Sequence, residues 1–186
     1  MITKAEIISQ PISGKYKERI YDIESSWNSP NWTWVRFEDE DFNEWCGEFR
    51  GSPRGIAVST KYKTVLVLTS DYLFQVDCDS GELTEYESDP QYQSVTVTPS
   101  GDFIIADYYG LEKIESSIKD KKSIESQINM DSIKFQGWNN NKLLITCDEF
   151  LNWEHHLELE LDGDTLEFTI RGIGSQGENL TKKDSR

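Results

Sequence analysis

An all-β fold built of antiparallel meanders is what this sequence predicts, and three observations predict it. Short apolar triplets recur with a period near 39 residues: Val65, Ile104 and Leu143 fall 39 apart. Between the triplets lie clusters with turn chemistry, namely Lys61-Tyr62-Lys63, Pro99-Ser100-Gly101-Asp102 and Asn139-Asn140-Asn141. Leu157, Leu159 and Leu161 alternate with Glu158 and Glu160, the period of two that a half-buried strand requires.

Taken in order, each repeat offers four short strands. The first strand is Ile56-Ala57-Val58, then Val95-Thr96-Val97, then Ile133-Lys134-Phe135. The second is Val65-Leu66-Val67, Ile104-Ile105-Ala106 and Leu143-Leu144-Ile145. The third runs over Leu73 to Val76, Leu111 to Ile114 and Leu157 to Leu161, and the fourth over Leu83 to Tyr86, Ser123 to Ser126 and Leu166 to Ile170. The hairpins between third and fourth strands are marked by Asp77-Cys78-Asp79-Ser80-Gly81 and by Asp162-Gly163-Asp164. Phe150 to His156 lengthens the third unit and predicts a loop or one helical turn.

The ends read differently. Residues 1–50 hold three candidate strands, at Ile7-Ile8, Arg19 to Ile23 and Trp32 to Phe37, which do not align with the repeats. Residues 172–186 lack periodicity and predict a flexible tail. The expected organisation is one β domain over 1–171, with an aromatic, acidic segment at 1–50 and the repeats at 51–171.

Four short strands in about 40 residues resembles a blade of a β-propeller. Leu73 to Leu83 looks like the outer hairpin of such blades, with its D-x-x-[ST]-G turn. Val95 to Asp102 is similar to their inner [ST]-P-[DS]-G turn. Propellers close with about four to eight blades. Three repeats therefore imply a degenerate fourth unit from residues 1–50, an open stack of meanders, or a twisted sheet capped by the N-terminal segment.

Charge and cysteine usage narrow the function classes. The formal net charge is −15, the opposite of the basic footprint that nucleic acid requires, and it repels anionic lipid surfaces. No apolar run reaches the ~18 residues of a membrane helix, and Met1 to Gly14 lacks the pattern of a signal peptide. Cys46, Cys78 and Cys147 are odd in number and far apart, which suits free thiols in a reducing, cytoplasmic setting.

No motif points to catalysis or to a cofactor. The G-x-S-x-G elbow, the phosphate loop and the dinucleotide fingerprint are all missing from the sequence. Asp77, Asp79 and Glu82 fail the spacing of a calcium loop, because Ser80 and Gly81 follow Asp79. His155 and His156 are adjacent, without the H-E-x-x-H or C-x-x-C geometry of a zinc site, and predict a surface loop, with His156 entering the following strand half-buried.

The densest feature is Trp27 to Arg50, where aromatics and acids interleave. If these residues face solvent, the partner-binding set is Trp32, Trp34, Glu38, Asp39, Glu40, Asp41, Glu44, Trp45 and Glu48. Aromatic anchors supply contact area there and carboxylates steer a basic partner. The competing reading buries the aromatics, with helical spacing of Phe42 and Trp45. Phe42 to Gly51 also looks similar to segments of immunity proteins from bacterial polymorphic toxin systems. That resemblance implies an inhibitor of a basic partner such as a nuclease-type toxin. A propeller-like interaction scaffold and a hydrolase using rim carboxylates are the alternatives.

Overall fold

A computed structural model of the protein describes residues 1–174, and among these no helix forms. Sixteen strands make four sheets of four. The first sheet contains β1 (Ile2–Ile8), β2 (Lys17–Tyr21), β3 (Trp32–Asp39) and β4 (Glu44–Arg50). The second contains β5 (Pro53–Ser59), β6 (Thr64–Thr69), β7 (Tyr72–Asp77) and β8 (Leu83–Ser88). β9 (Ser94–Val97), β10 (Phe103–Ala106), β11 (Leu111–Ile114) and β12 (Lys121–Ile124) form the third. β13 (Met130–Asn139), β14 (Lys142–Glu149), β15 (Asn152–Asp162) and β16 (Phe168–Gly174) form the fourth.

The last three sheets are simple antiparallel meanders, as the repeat predicts. The first differs in order, β1-β3-β4-β2, and β2 runs parallel to β4. Its departure explains why residues 1–50 did not align with the repeats. A parallel pair demands a crossover. Residues 9–16 supply it, carrying the chain from Ile8, opposite Trp34, to Lys17, opposite Trp45. The second sheet fills the inner face, which leaves the outer side for this crossover. There Cys46, an outer-face position, is fully buried.

Several boundaries need correction. Residues 39–43 form a tight turn instead of the expected helical spacing. Asp39 accepts hydrogen bonds from the amides of Asp41 and Asn43, both at 2.9 Å, and Phe42 is exposed at φ 61°. Phe150 and Leu151 make a hairpin turn, and Asn152 to His156 belongs to β15 rather than to a loop. Residues 172–174 pair with β15, opposite Glu158, Leu157 and His156, so that part of the expected tail is strand. The rest of that tail lies outside the described residues.

Three apolar cores join the sheets in sequence. Val35, Phe37 and Phe49 meet Val65, Val67 and Phe74 between the first and second sheets. Leu66, Leu68 and Leu73 meet Phe103 and Ile105 between the second and third. Ile104 and Ala106 meet Leu143, Ile145 and Leu159 between the third and fourth. Among the described residues no core joins the fourth sheet to the first, so the propeller-like stack stays open.

Val65, Ile104 and Leu143 are each fully buried in the second strand of their sheet. They do not all face the same way, however. Val65 and Leu143 point toward the preceding sheet, whereas Ile104 points toward the following one. By facing, Phe103 is the equivalent of Val65. A one-residue offset flips a strand's side chains from face to face, and the spacing of 39 hid it because both faces of β10 are apolar.

Turns alternate between two rims. One carries the β5–β6, β9–β10 and β13–β14 turns together with those after β7, β11 and β15. Asp102 fastens this rim: it accepts from Lys61 Nζ and Tyr62 Oη, each at 2.6 Å, and from Lys113 Nζ at 3.3 Å. The other rim carries the β6–β7, β10–β11 and β14–β15 turns. Ser29 N donates to Asp71 there, and Tyr72 Oη donates to Asn28 Oδ1 at 2.5 Å.

Candidate functional site

The β3–β4 hairpin divides the residues that the sequence grouped into three places. On the outer face of the first sheet, Trp34 lies opposite Glu48 and Trp32 opposite Arg50. The Arg50 guanidinium stacks 3.7 Å from the Trp32 ring and is held by Asp22 at 2.6 Å. Glu38 is paired with Lys4 at 2.7 Å, and Glu44 with Arg36 at 3.1 Å. Asp39, Glu40 and Asp41 sit at the turn. Hydrogen bonds from the Asn43 side chain and backbone hold the Asp39 carboxyl below the usual range.

Trp45 is on the opposite face. It stacks on Phe37 with centroids 4.2 Å apart, beneath the Arg19 guanidinium at 4.8 Å. Beside it Tyr21 stacks on Phe49 at 4.3 Å, in contact with the core between the first and second sheets. Gly47 makes room for these rings, since a Cβ there would lie 2.6 Å from Phe49 and 2.9 Å from Phe37.

The other singled-out motifs are structural. Asp77 Oδ1 accepts from the amides of Ser80 and Asp79, closing the β7–β8 turn with Gly81 at φ 69°. Asp162 repeats this with Asp164 and Thr165, and those bonds, with Lys142, hold its carboxyl far below the usual range. His155 and His156 lie in a strand, half-buried, with Nδ1 atoms 2.8 Å from Glu149 and 2.5 Å from Asp148 respectively. Among the described residues no group of three His, Cys, Asp or Glu is placed to hold a metal ion. Cys46, Cys78 and Cys147 are buried free thiols, pushed up by burial to about 11, 12 and 11. Thiols so displaced are poor nucleophiles at neutral pH.

A second surface was missed by the sequence reading. At the rim between the third and fourth sheets, the β10–β11 turn presents Tyr108 and Tyr109, and the β14–β15 turn presents Phe150 and Leu151. All four are exposed, Tyr109 by 60% and Leu151 by 78%. Tyr109 and Phe150 meet edge to face at 5.9 Å. Asp107 Oδ1 fixes the first turn by accepting from Tyr109 N at 2.7 Å and Gly110 N at 2.8 Å. Phe150 N donates to Asn129 O at 2.9 Å, tying the second turn to the connection from β12. An open cleft of about 620 Å³ lies beside the pair, lined by Tyr109, Ile124, Glu125, Ile128, Met130 and Phe150 among others.

Leu151 makes this surface hard to ascribe to folding. It holds φ 64°, a left-handed conformation that disfavours a bulky side chain, yet gains little burial in return. The available signal was Asp107-Tyr108-Tyr109-Gly110, a turn motif with two aromatics where polar residues are usual.

No family model matches this chain, and no curated protein does. Solved structures of related shape exist at low similarity. A dihydro-heme d1 dehydrogenase, NirN in complex with DHE, is 19% identical with a TM-score of 0.49, covering 78% of this chain and 34% of that one. The WD40 domain of SCAP from fission yeast is 13% identical with a TM-score of 0.42, covering 97% of this chain and 47% of that one. A Bacteroides caccae protein of unknown function is 11% identical with a TM-score of 0.40, covering 89% of this chain and 63% of that one. The chain thus spans from about a third to under two thirds of the length of these structures. At such values they bear on neither site nor chemistry.

Proposed function

We propose that this chain is a protein-interaction scaffold, binding rather than catalysing, and that the rim at Tyr108, Tyr109, Phe150 and Leu151 is its contact surface. The observation that carries this reading is the meeting of Tyr109 and Phe150, from two separate hairpins, beside one cleft, with exposed Tyr108 and Leu151 next to them in their turns. Exposed apolar residues scattered singly are ordinary, whereas a contiguous group marks a contact surface. Tyrosine and phenylalanine are also enriched where proteins meet. Trp27, Phe42 and Ile12, although exposed, have no comparable ring contact among the described residues.

The narrower role of inhibitor of a basic toxin has weaker support in the geometry. It rests on the acidic hairpin, where Glu38 and Glu44 already neutralise Lys4 and Arg36 and Trp45 packs inward. Capture from cells separates the two surfaces. A Tyr109→Ala/Leu151→Gly variant loses the partner retained by the wild type and by Trp34→Ala. Retention by the rim variant, with loss in Trp34→Ala, moves the contact surface back to the first sheet.

A further inference from the structure

The charges around the rim cleft specify what it accepts. Glu125 lines the cleft, and neither lysine nor arginine does so, although Glu125 also borders an adjoining cleft lined by Lys113 and Lys122, both of which pair with Glu115. Asp107, Glu149 and Asp131 lie close to the lining in sequence without forming part of it, Asp107 closing its own turn and Glu149 pairing with His155. The whole chain carries −15, so a cation approaching this rim meets a favourable field.

The aromatic rings sharpen the argument. Several half-buried rings are covered by the molecule's own cations, Arg50 over Trp32 at 3.7 Å, Arg19 over Trp45 at 4.8 Å and Lys121 over Tyr92 at 5.0 Å, whereas among the described residues the exposed rings of Trp27, Phe42 and Tyr86 are not. Tyr108, Tyr109 and Phe150 have no such intramolecular cation among the described residues. Uncovered ring faces in a cleft that also holds a carboxylate, here Glu125, are suited to receive an external cation.

We infer that this cleft takes a cationic, partly apolar segment of a partner protein. An arginine or lysine head lies over Tyr109 and Phe150 within reach of Glu125, and an adjacent aliphatic side chain enters beside Ile124 and Ile128. The inference rests on the proposed rim surface and adds the chemistry of its occupant. Carboxylates at the edge speed encounter, while the rings and aliphatic floor slow release.

The test is an NMR titration of the whole chain with three capped hexapeptides, which alternate leucine with arginine, with serine and with glutamate. The arginine peptide is expected to shift the amides of 108–110, 125–130 and 150–151, more strongly at low than at physiological ionic strength. Tyr109→Ala should weaken its binding about two- to fivefold, the size of an exposed cation–ring contact. Glu125→Gln, at an exposed position, should weaken it without disturbing the remaining spectrum. Equal binding of the serine peptide at the rim overturns the cationic inference but leaves the interaction surface standing. Arginine-peptide shifts spread over the acidic surface, unaffected by either variant, overturn the inference as well. If no peptide perturbs the rim, the inference and the rim surface both fall.

Discussion

The two inner sheets and the two end sheets solve different packing problems. In β6, Thr64–Thr69, every residue is buried, and β10, Phe103–Ala106, is buried throughout. Their counterparts β3 and β14 alternate buried and half-buried positions. An inner sheet packs against another sheet on both faces and an end sheet on one, the first sheet burying only Cys46 on its outer face. Stability should therefore concentrate in residues 53–124, while the fourth sheet retains an outward face available to other roles.

Matched substitutions break or sharpen this contrast. Leu66 is fully buried between the second and third sheets, and Leu144 is half-buried on the outer face of the fourth. Leu66→Ala should cost about 2–5 kcal/mol in urea unfolding, whereas Leu144→Ala should cost less than about 1 kcal/mol. Equal losses would mean that something covers the outer face of the fourth sheet.

The next effect belongs to the first sheet's inner face. Gly47→Ala brings a methyl group against Phe49 and Phe37, and overpacking of this kind costs about 1–3 kcal/mol. Thermal unfolding reads it. A neutral result would show that the Tyr21–Phe49 stack yields without penalty.

Asp102 links the inner sheets by charge. Burial alone would raise its pKa, but hydrogen bonds from Lys61, Tyr62 and Lys113 outweigh burial and lower it. A lowered folded-state pKa means stability that is complete above the unfolded value, ~3.9, and lost as pH falls through the folded value. Asp102→Asn should cost about 1–3 kcal/mol at pH 7, and the gap from wild type should close as pH drops below ~4. A gap independent of pH would show that the ionised form contributes nothing. The smallest effect is expected from Trp34→Ala, within about 1 kcal/mol in urea unfolding, because the ring lies on a face that no other sheet covers.

Much of this division was legible in the sequence. Thr64-Val65-Leu66-Val67-Leu68-Thr69 is continuously apolar at its centre, as a strand covered on both faces must be. Lys142-Leu143-Leu144-Ile145-Thr146-Cys147 drifts toward alternation. The topology of the first sheet was not legible, because a parallel pair made through a crossover leaves no periodic trace. The rim site stayed hidden for another reason. Tyr109 and Phe150 are 41 positions apart, and only the stacking of adjacent sheets brings their turns together. The acidic hairpin drew attention because its residues are contiguous, although strand alternation sends Trp34 and Trp45 to opposite faces.

Native-state hydrogen exchange tests the open-stack account most directly. Amides of β6, β7 and β10 should exchange slowest, at rates set by global unfolding, while those of β2 and β16 exchange through local opening. Protection of β2 and β16 equal to that of β6 and β10 would contradict the account, because it would require the end sheets to be as fully packed as the inner ones.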